Sequence, residues 1–281
     1  MIWDKKNKMT SKFEVGLVIV GDEILSGKRM DQHFSNARKI LFARGIPISW
    51  TVTIGDEKIL CERFLRFSFS DDSTVVFCFG GIGSTPDDNT RQACACALDS
   101  SLSLNRDAEV LIRKNFSKMN KPSTPERLQM GEFPLGSELI PNPINGIPGF
   151  YIKNHYFLPG FPKMAHPMME WVLDTKYKKH FSNFTEIDHF FHVDFLYESS
   201  ITPALNKITK DYPFFKFYSL PQLQDPKNKK NFSLELGIKM HGNFKDSRIP
   251  KQSLFIDAVK ELKNIIKSLG GSVIQEGEQR R

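Results

Sequence analysis

The sequence predicts a three-layer α/β/α sandwich followed by a small α+β domain. Strand-like runs at Val15–Val20, Ile48–Ile54 and Ser73–Phe79 alternate with stretches whose apolar residues recur at helical spacing, the pattern of a parallel sheet covered by helices. The first and third runs are almost continuously apolar, as strands buried on both faces are. Beyond about residue 182 the order changes to strands with a closing amphipathic helix, which marks a second unit.

The elements follow in order. Val15–Val20 is the first strand, and Phe34, Ala37, Ile40 and Leu41 mark a helix that Gly45 stops. Ile48–Ile54 is β-branched and aromatic, hence a second strand. Ile59, Cys61, Phe64, Leu65 and Phe69 mark a second helix, and Ser73–Phe79 runs as a third strand into a glycine cluster. Six prolines within residues 118–149 exclude a long helix there and predict a loop or short irregular arm. Tyr151–Leu158 returns to the sheet, and Met164–Leu173 forms the last helix of the unit. In the second unit, Phe190–Tyr197, Phe214–Tyr218 and Phe232–Met240 read as strands and Pro203–Tyr212 as a helix. The stripe Phe255, Ala258, Val259, Leu262, Ile265, Ile266, Leu269 gives a final helix closed by Gly270–Gly271. The expected division is a tail at 1–12, domains at 13–181 and 182–271, and a frayed tail at 272–281.

Length and composition agree with this. The chain has 281 residues, 40% hydrophobic and 25% charged, which suits one or two soluble globular domains. Its 39 Lys and Arg against 32 Asp and Glu give +7, a balance that permits an anionic partner without requiring one. Part of that excess lies in the first twelve residues and in Lys227–Lys230, which reads as a solvated hairpin loop. No apolar run approaches the roughly 20 residues of a membrane span, and no apolar signal segment opens the chain. Cys61, Cys78, Cys94 and Cys96 form no CxxC and read as reduced thiols of a cytoplasmic protein.

The candidate chemistry lies in the turns after the strands. Gly21-Asp22-Glu23-Ile24-Leu25-Ser26-Gly27 follows the first strand, where ligands bind in open α/β sheets; a polar turn explains it equally. Gly80-Gly81-Ile82-Gly83-Ser84-Thr85-Pro86-Asp87-Asp88-Asn89-Thr90 joins the third strand to a helix. Its glycines let backbone N–H groups approach an anion, the helix start adds unpaired N–H groups, and Ser84, Thr85 and Thr90 supply hydroxyls. It is neither a Walker A loop nor a dinucleotide fingerprint. Asp87 and Asp88 would repel an anion unless a divalent cation such as Mg²⁺ bridges them to it; capping of the helix fits the spacing as well. Asp56 and Glu57 follow the second strand and make a convergent acidic pocket geometrically reasonable. Leu158-Pro159-Gly160-Phe161-Pro162 is a rigid turn that either contacts ligand or is purely structural. His155 and His166 sit near these turns, whereas His189 and His192 fall on opposite faces of a strand and make no metal pair.

These blocks together resemble the molybdopterin-binding (MoCF) fold family, and within it most closely the CinA-like competence/damage-inducible proteins. The segments are VGLVIVGDEILSG with Asp31 downstream, TIGDE, FGGIGSTPDDNT, NGIPGF and LPGFPKMAHPM, in that order. FYSLPQL and FSLELGIKM resemble the second, KH-like module of CinA-like proteins, so the resemblance spans about residues 13–271. Two departures stand out: the chain ends before an amidohydrolase domain, and His33 stands where the family often has Asn. The resemblance implies a MogA-like fold and a phosphate-containing pterin or nucleotide as ligand, with molybdopterin among the candidates. It implies catalysis by Asp56 and Asp88, a cation held by Asp56, Asp87 and Asp88, and ligand contacts from Gly21, Asp22, Glu23, Gly27, Asp31, Gly80, Gly81, Gly83, Ser84, Thr85, Thr90, Pro159 and Gly160. Two activities follow: metal-dependent hydrolysis of a pyrophosphate such as ADP-ribose, or non-catalytic binding linked to molybdenum cofactor metabolism. A homo-oligomer, dimer or trimer, is implied as well. RNA binding is disfavoured, because no GxxG clamp lies between 182 and 269.

Overall fold

A computed structural model of the chain describes residues 13–181, 184–222, 233–243 and 251–280. The expected tail at 1–12 and the Lys227–Lys230 loop lie outside the described residues. The chain divides into two compact units, 1–181 and 182–281.

The first unit opens with β1 (Glu14–Val20), α1 (Asp22–Leu25), α2 (His33–Phe42), β2 (Ile48–Ile54), α3 (Lys58–Ser68), β3 (Thr74–Phe79) and α4 (Thr90–Ala97). It continues with β4 (Leu102–Leu104), α5 (Arg106–Lys118), α6 (Pro125–Leu128), β5 (Glu132–Pro134), β6 (Glu138–Ile140), β7 (Gly149–Ile152), β8 (His155–Leu158) and α7 (Pro162–Lys176). The main sheet has the order β2-β1-β3-β8-β7-β6. Its first four strands are parallel, so their carboxyl ends share one edge. Residues alternate across it. Leu17, Phe77 and Leu158 meet α2 and α7 through Ala37, Leu41, Met168 and Leu173. Val18, Val76 and Cys78 meet α3, α4 and α5 through Cys61, Leu65, Ala93, Cys94 and Ala108. Two cores on opposite faces make the three layers. All four cysteines are free, and no described helix is long and apolar enough to cross a membrane.

Two details differ from expectation. The stretch read as one strand over 151–158 is a hairpin, β7 and β8, turning where Lys153 takes a positive φ of 52°. β7 therefore runs antiparallel to both its neighbours, β8 and β6, and the sheet is mixed. The proline-rich arm also carries structure, since β5 pairs with β4 in a separate two-stranded ladder. Its strands are three residues long, and their one proline, Pro134, sits at the end of β5.

The second unit comprises β9 (Phe184–Asp194), α8 (Glu198–Asp211), β10 (Lys216–Gln222), β11 (Ser233–Asn243), α9 (Lys251–Ser268) and β12 (Ser272–Arg280). Its sheet is antiparallel with the order β10-β11-β9-β12. Phe191, Val193, Leu234 and Leu236 face Ile201, Ile208, Leu262 and Ile266 of the helices. The α+β class holds, and the connectivity is β-α-β-β-α-β, a split β-α-β arrangement. Among the described residues each helix of this unit lies between strands, so no helix–helix clamp of the KH kind is formed. The expected frayed tail at 272–281 is corrected: Ser272–Arg280 is a strand paired with β9. Val273 packs into the core and Glu276 meets Lys263 and His189, which anchors a segment whose sequence is mostly polar.

Candidate functional site

The carboxyl edge of the parallel strands opens into a cavity of about 480 Å³, a size suited to a small organic ligand. Its floor is the loop after β3. Gly80 and Gly81 take positive φ values of 105° and 67°. A Cβ at Gly80 would strike the Val20 carbonyl, and one at Gly81 the Thr90 side chain. These glycines thus serve the packing of the loop against β1 and α4 as much as access for an anion. Gly80 N–H donates to Leu158 O (2.9 Å) and Thr90 N–H to Gly81 O (2.9 Å), fixing both ends. Among the described residues, the amides of Gly81, Ile82, Gly83 and Ser84 have no acceptor. Successive free N–H groups of this kind make an anion-binding concavity.

The carboxylates stand around this floor. Asp22 N–H donates to Asp56 Oδ2 (2.8 Å) and Asp56 N–H to Asp22 Oδ1 (3.3 Å), a reciprocal pair that ties the turn after β1 to the turn after β2. Burial pushes the Asp56 carboxyl above the ordinary aspartate range, and the charges of Asp22, Asp87 and Glu23 push the same way, against the Asp22 amide. Asp88 Oδ2 accepts from Thr85 N–H (2.9 Å) and Thr85 Oγ1 (2.7 Å), and Thr85 Oγ1 also reaches Asp87 Oδ1. That hydroxyl bond holds the exposed Asp87 carboxyl below its usual range. The capping alternative takes a different form from the one expected. Asn89 occupies the helix N-cap without a side-chain bond, and Asp88 closes the Thr85 turn instead.

Gly21, Glu23, Asp56, Gly80, Gly81, Gly83, Ser84, Thr85, Asp87, Asp88, Pro159 and Gly160 all line the cavity. Four candidates do not. Asp22 is exposed and positions Asp56. Gly27 supplies a positive-φ turn (73°). Thr90 is buried beneath Gly81. Asp31 accepts from His33 N–H (2.7 Å) and Phe34 N–H (3.1 Å), the first amides of α2, and so caps that helix. Asp31→Ala is accordingly expected to cost ~1 kcal/mol of stability and to leave ligand affinity unchanged, read by thermal melts and a binding titration. Lost affinity at unchanged stability would return Asp31 to the site.

His155 lies at the opposite, amino-terminal end of β8, buried against Ser68 and Phe69. His166 packs edge-on to His33. His33, Arg29, Met130, Asn142, Asn145 and Met164, none of them a site candidate on sequence grounds, also line the cavity. His33 Nε2 faces Gly160 O at 3.1 Å, so it carries the proton, and burial lowers the ring's pKa. Asn142 and Asn145 accept from Ile144 N–H and Ile147 N–H (3.0 Å each), folding the arm over the cavity. The available signal was two asparagines spaced among prolines in PNPINGIP, a turn-forming pattern.

The family described as probable molybdopterin binding domain matches residues 16–179, more than half of the chain. The chain belongs to this molybdopterin-binding domain family. The match covers both walls of the cavity and stops where the first unit ends. A protein of Sulfolobus acidocaldarius is 28% identical over 264 residues, which cover 92% of this chain and 96% of that one. One of Saccharolobus solfataricus is 26% identical over 262 residues, covering 90% and 94%. Among solved structures, the CinA protein of Thermoplasma acidophilum, described as of unknown function, superposes with a TM-score of 0.52 at 25% identity. That superposition covers 57% of this chain and 97% of the Thermoplasma chain.

Among the described residues no group of three or more His, Cys, Asp or Glu side chains converges as a metal centre. The donors suit another arrangement. Mg²⁺ is commonly held by one or two carboxylates plus phosphate oxygens, and Asp56, Asp87 and Asp88 line the same cavity as the glycine loop.

Proposed function

We propose that the first unit is a CinA-like site that binds a phosphate-bearing pterin or nucleotide and hydrolyses a pyrophosphate such as that of ADP-ribose with a divalent cation. The observation that carries this reading is that loop residues with unpaired amides and acidic side chains line one cavity. Amides invite an anion and carboxylates repel it; a cation arriving with the phosphate reconciles them. The amides of residues 81–84 hold the phosphate. Ile82, Met130, Ile147, Pro148, Phe161 and Met164 give the ring an apolar bed. Asp56, Asp87 and Asp88 hold the cation, which when bound neutralises phosphoryl charge and lowers the pKa of an attacking water. Asp56 would be the cation's ligand from the turn after β2, held there by the Asp22 amide.

The test is turnover of ADP-ribose with and without Mg²⁺, Mn²⁺ or Co²⁺, beside a binding titration with molybdopterin and with inorganic phosphate. Cation-dependent release of AMP and ribose 5-phosphate is the expected result. Tight binding of phosphate ligands with no turnover under any cation would remove the hydrolase reading and leave the non-catalytic one.

A further inference from the structure

A buried arginine lies beneath the glycine loop. Arg91, the second residue of α4, is 2% exposed. Its Nη2 donates to Gly83 O at 2.7 Å, and its Nη1 to the carbonyls of Gln129 and Glu132. All three acceptors are neutral, and the charges of Glu132 and Asp88 also favour the buried guanidinium. Arg91 does not line the cavity, whereas Gly83, Ser84 and Met130 do.

The peptide group is planar and trans, so the Gly83 carbonyl and the Ser84 N–H point in opposite directions. The carbonyl points to Arg91, inside the protein. The Ser84 N–H is thereby turned the other way, and it has no acceptor among the described residues. The same guanidinium grips the carbonyls on either side of Met130, which stands on the arm.

We infer that Arg91 is a positioning residue of the anion site: it fixes the Gly83–Ser84 peptide with its N–H toward the cavity and couples that peptide to the arm segment carrying Met130. This rests on the reading of the cavity as a phosphate site. A planar fork is required to reach Gly83 on one side and the arm on the other, and lysine offers a point charge in its place.

The experiment is titration of the ¹⁵N-labelled full chain with inorganic phosphate, following the backbone amide of Ser84. Wild type should show a saturating shift at Ser84. Arg91→Lys, with the charge kept and the fork lost, should bind phosphate ~10-fold or more weakly, the scale of one hydrogen bond to a charged group, and the Ser84 shift should shrink. Arg91→Ala should lose as much, and added guanidinium should restore its phosphate affinity but not that of Arg91→Lys. A folded Arg91→Lys that binds phosphate as tightly as wild type, with an undiminished Ser84 shift, overturns the inference. Failure of wild type to bind any phosphate instead overturns the reading of the site. Should neither variant fold, wild type still decides: phosphate binding that leaves the Ser84 amide unmoved sinks the assignment, and a shift there sustains it.

Discussion

Asp88→Asn should leave the fold intact and reduce cation-dependent turnover by ~100-fold or more, the scale of removing one group that stabilises transition-state charge. The loop geometry makes this a clean substitution. Asp88 holds the Thr85 turn through Oδ2, which accepts from both the Thr85 amide and its hydroxyl. An asparagine carbonyl accepts the same two bonds, so only the charge is lost. Gly83 also leaves room, since a Cβ there would meet the Asp88 carboxylate. Phosphate affinity should be measured with and without Mg²⁺ in both forms. With Mg²⁺ the variant should bind and turn over worse; without it, binding should tighten because a repelling charge has gone. Unchanged activity together with unchanged Mg²⁺ dependence would remove Asp88 from the chemistry and leave it as a turn closure.

Acid should destabilise the first unit steeply, and His155 should account for much of the loss. Its imidazole is 1% exposed, bonds to Ser68 Oγ at 2.8 Å and lies against the Phe69 ring. Burial drives its pKa from the usual 6.5 down to about 3, with Lys153 adding to the drop and Asp71 opposing it. The unfolded chain takes up the proton near 6.5 and the folded one only near 3. Between those values the unfolded state binds more protons, so stability is full above 6.5 and falls as the pH drops toward 3. A displacement of this size corresponds to ~5 kcal/mol. His155→Phe keeps a ring on Phe69 and has nothing to titrate. Urea unfolding across this range should show the wild-type advantage over the variant shrinking as the pH falls. Parallel curves for the two proteins would assign the acid loss elsewhere.

The parallel part of the sheet was legible because β1 and β3 are buried on both faces, and such strands announce themselves as apolar runs. The glycine loop was legible because turn chemistry needs particular residues. What escaped was structure set by tertiary context. β4, β5 and β6 are three residues each, below any detectable period, and exist because a neighbour pairs with them. α5 could have been found: Asn105 Oδ1 accepts from Asp107 N–H and Ala108 N–H, and Ala108, Ile112 and Phe116 form a buried stripe at four-residue spacing. In the site, the strand-end residues were placed from topology alone. For Asp31 and Thr90 the sequence does not separate the roles, because a cap, a buried hydroxyl and a ligand contact use the same residue types. Met130, Asn142 and Asn145 come from the arm, and only the folding of that arm over the strand ends brings them to the cavity.

The antiparallel sheet of the second unit ends on β10 and β12, and neither edge invites a further strand. Pro221 in β10 has no N–H to offer a newcomer, and proline in a sheet is tolerated at such a margin. β12 is interrupted by a register shift between Val273 and Gln275 and carries Glu276 and Glu278. Bulges and charges are the usual means of keeping a sheet margin from templating another chain. The polarity that disguised β12 as a loose end is thus what suits it to be an outermost strand, and replacing Glu276 and Glu278 with apolar β-formers would trade a soluble margin for an aggregation-prone one.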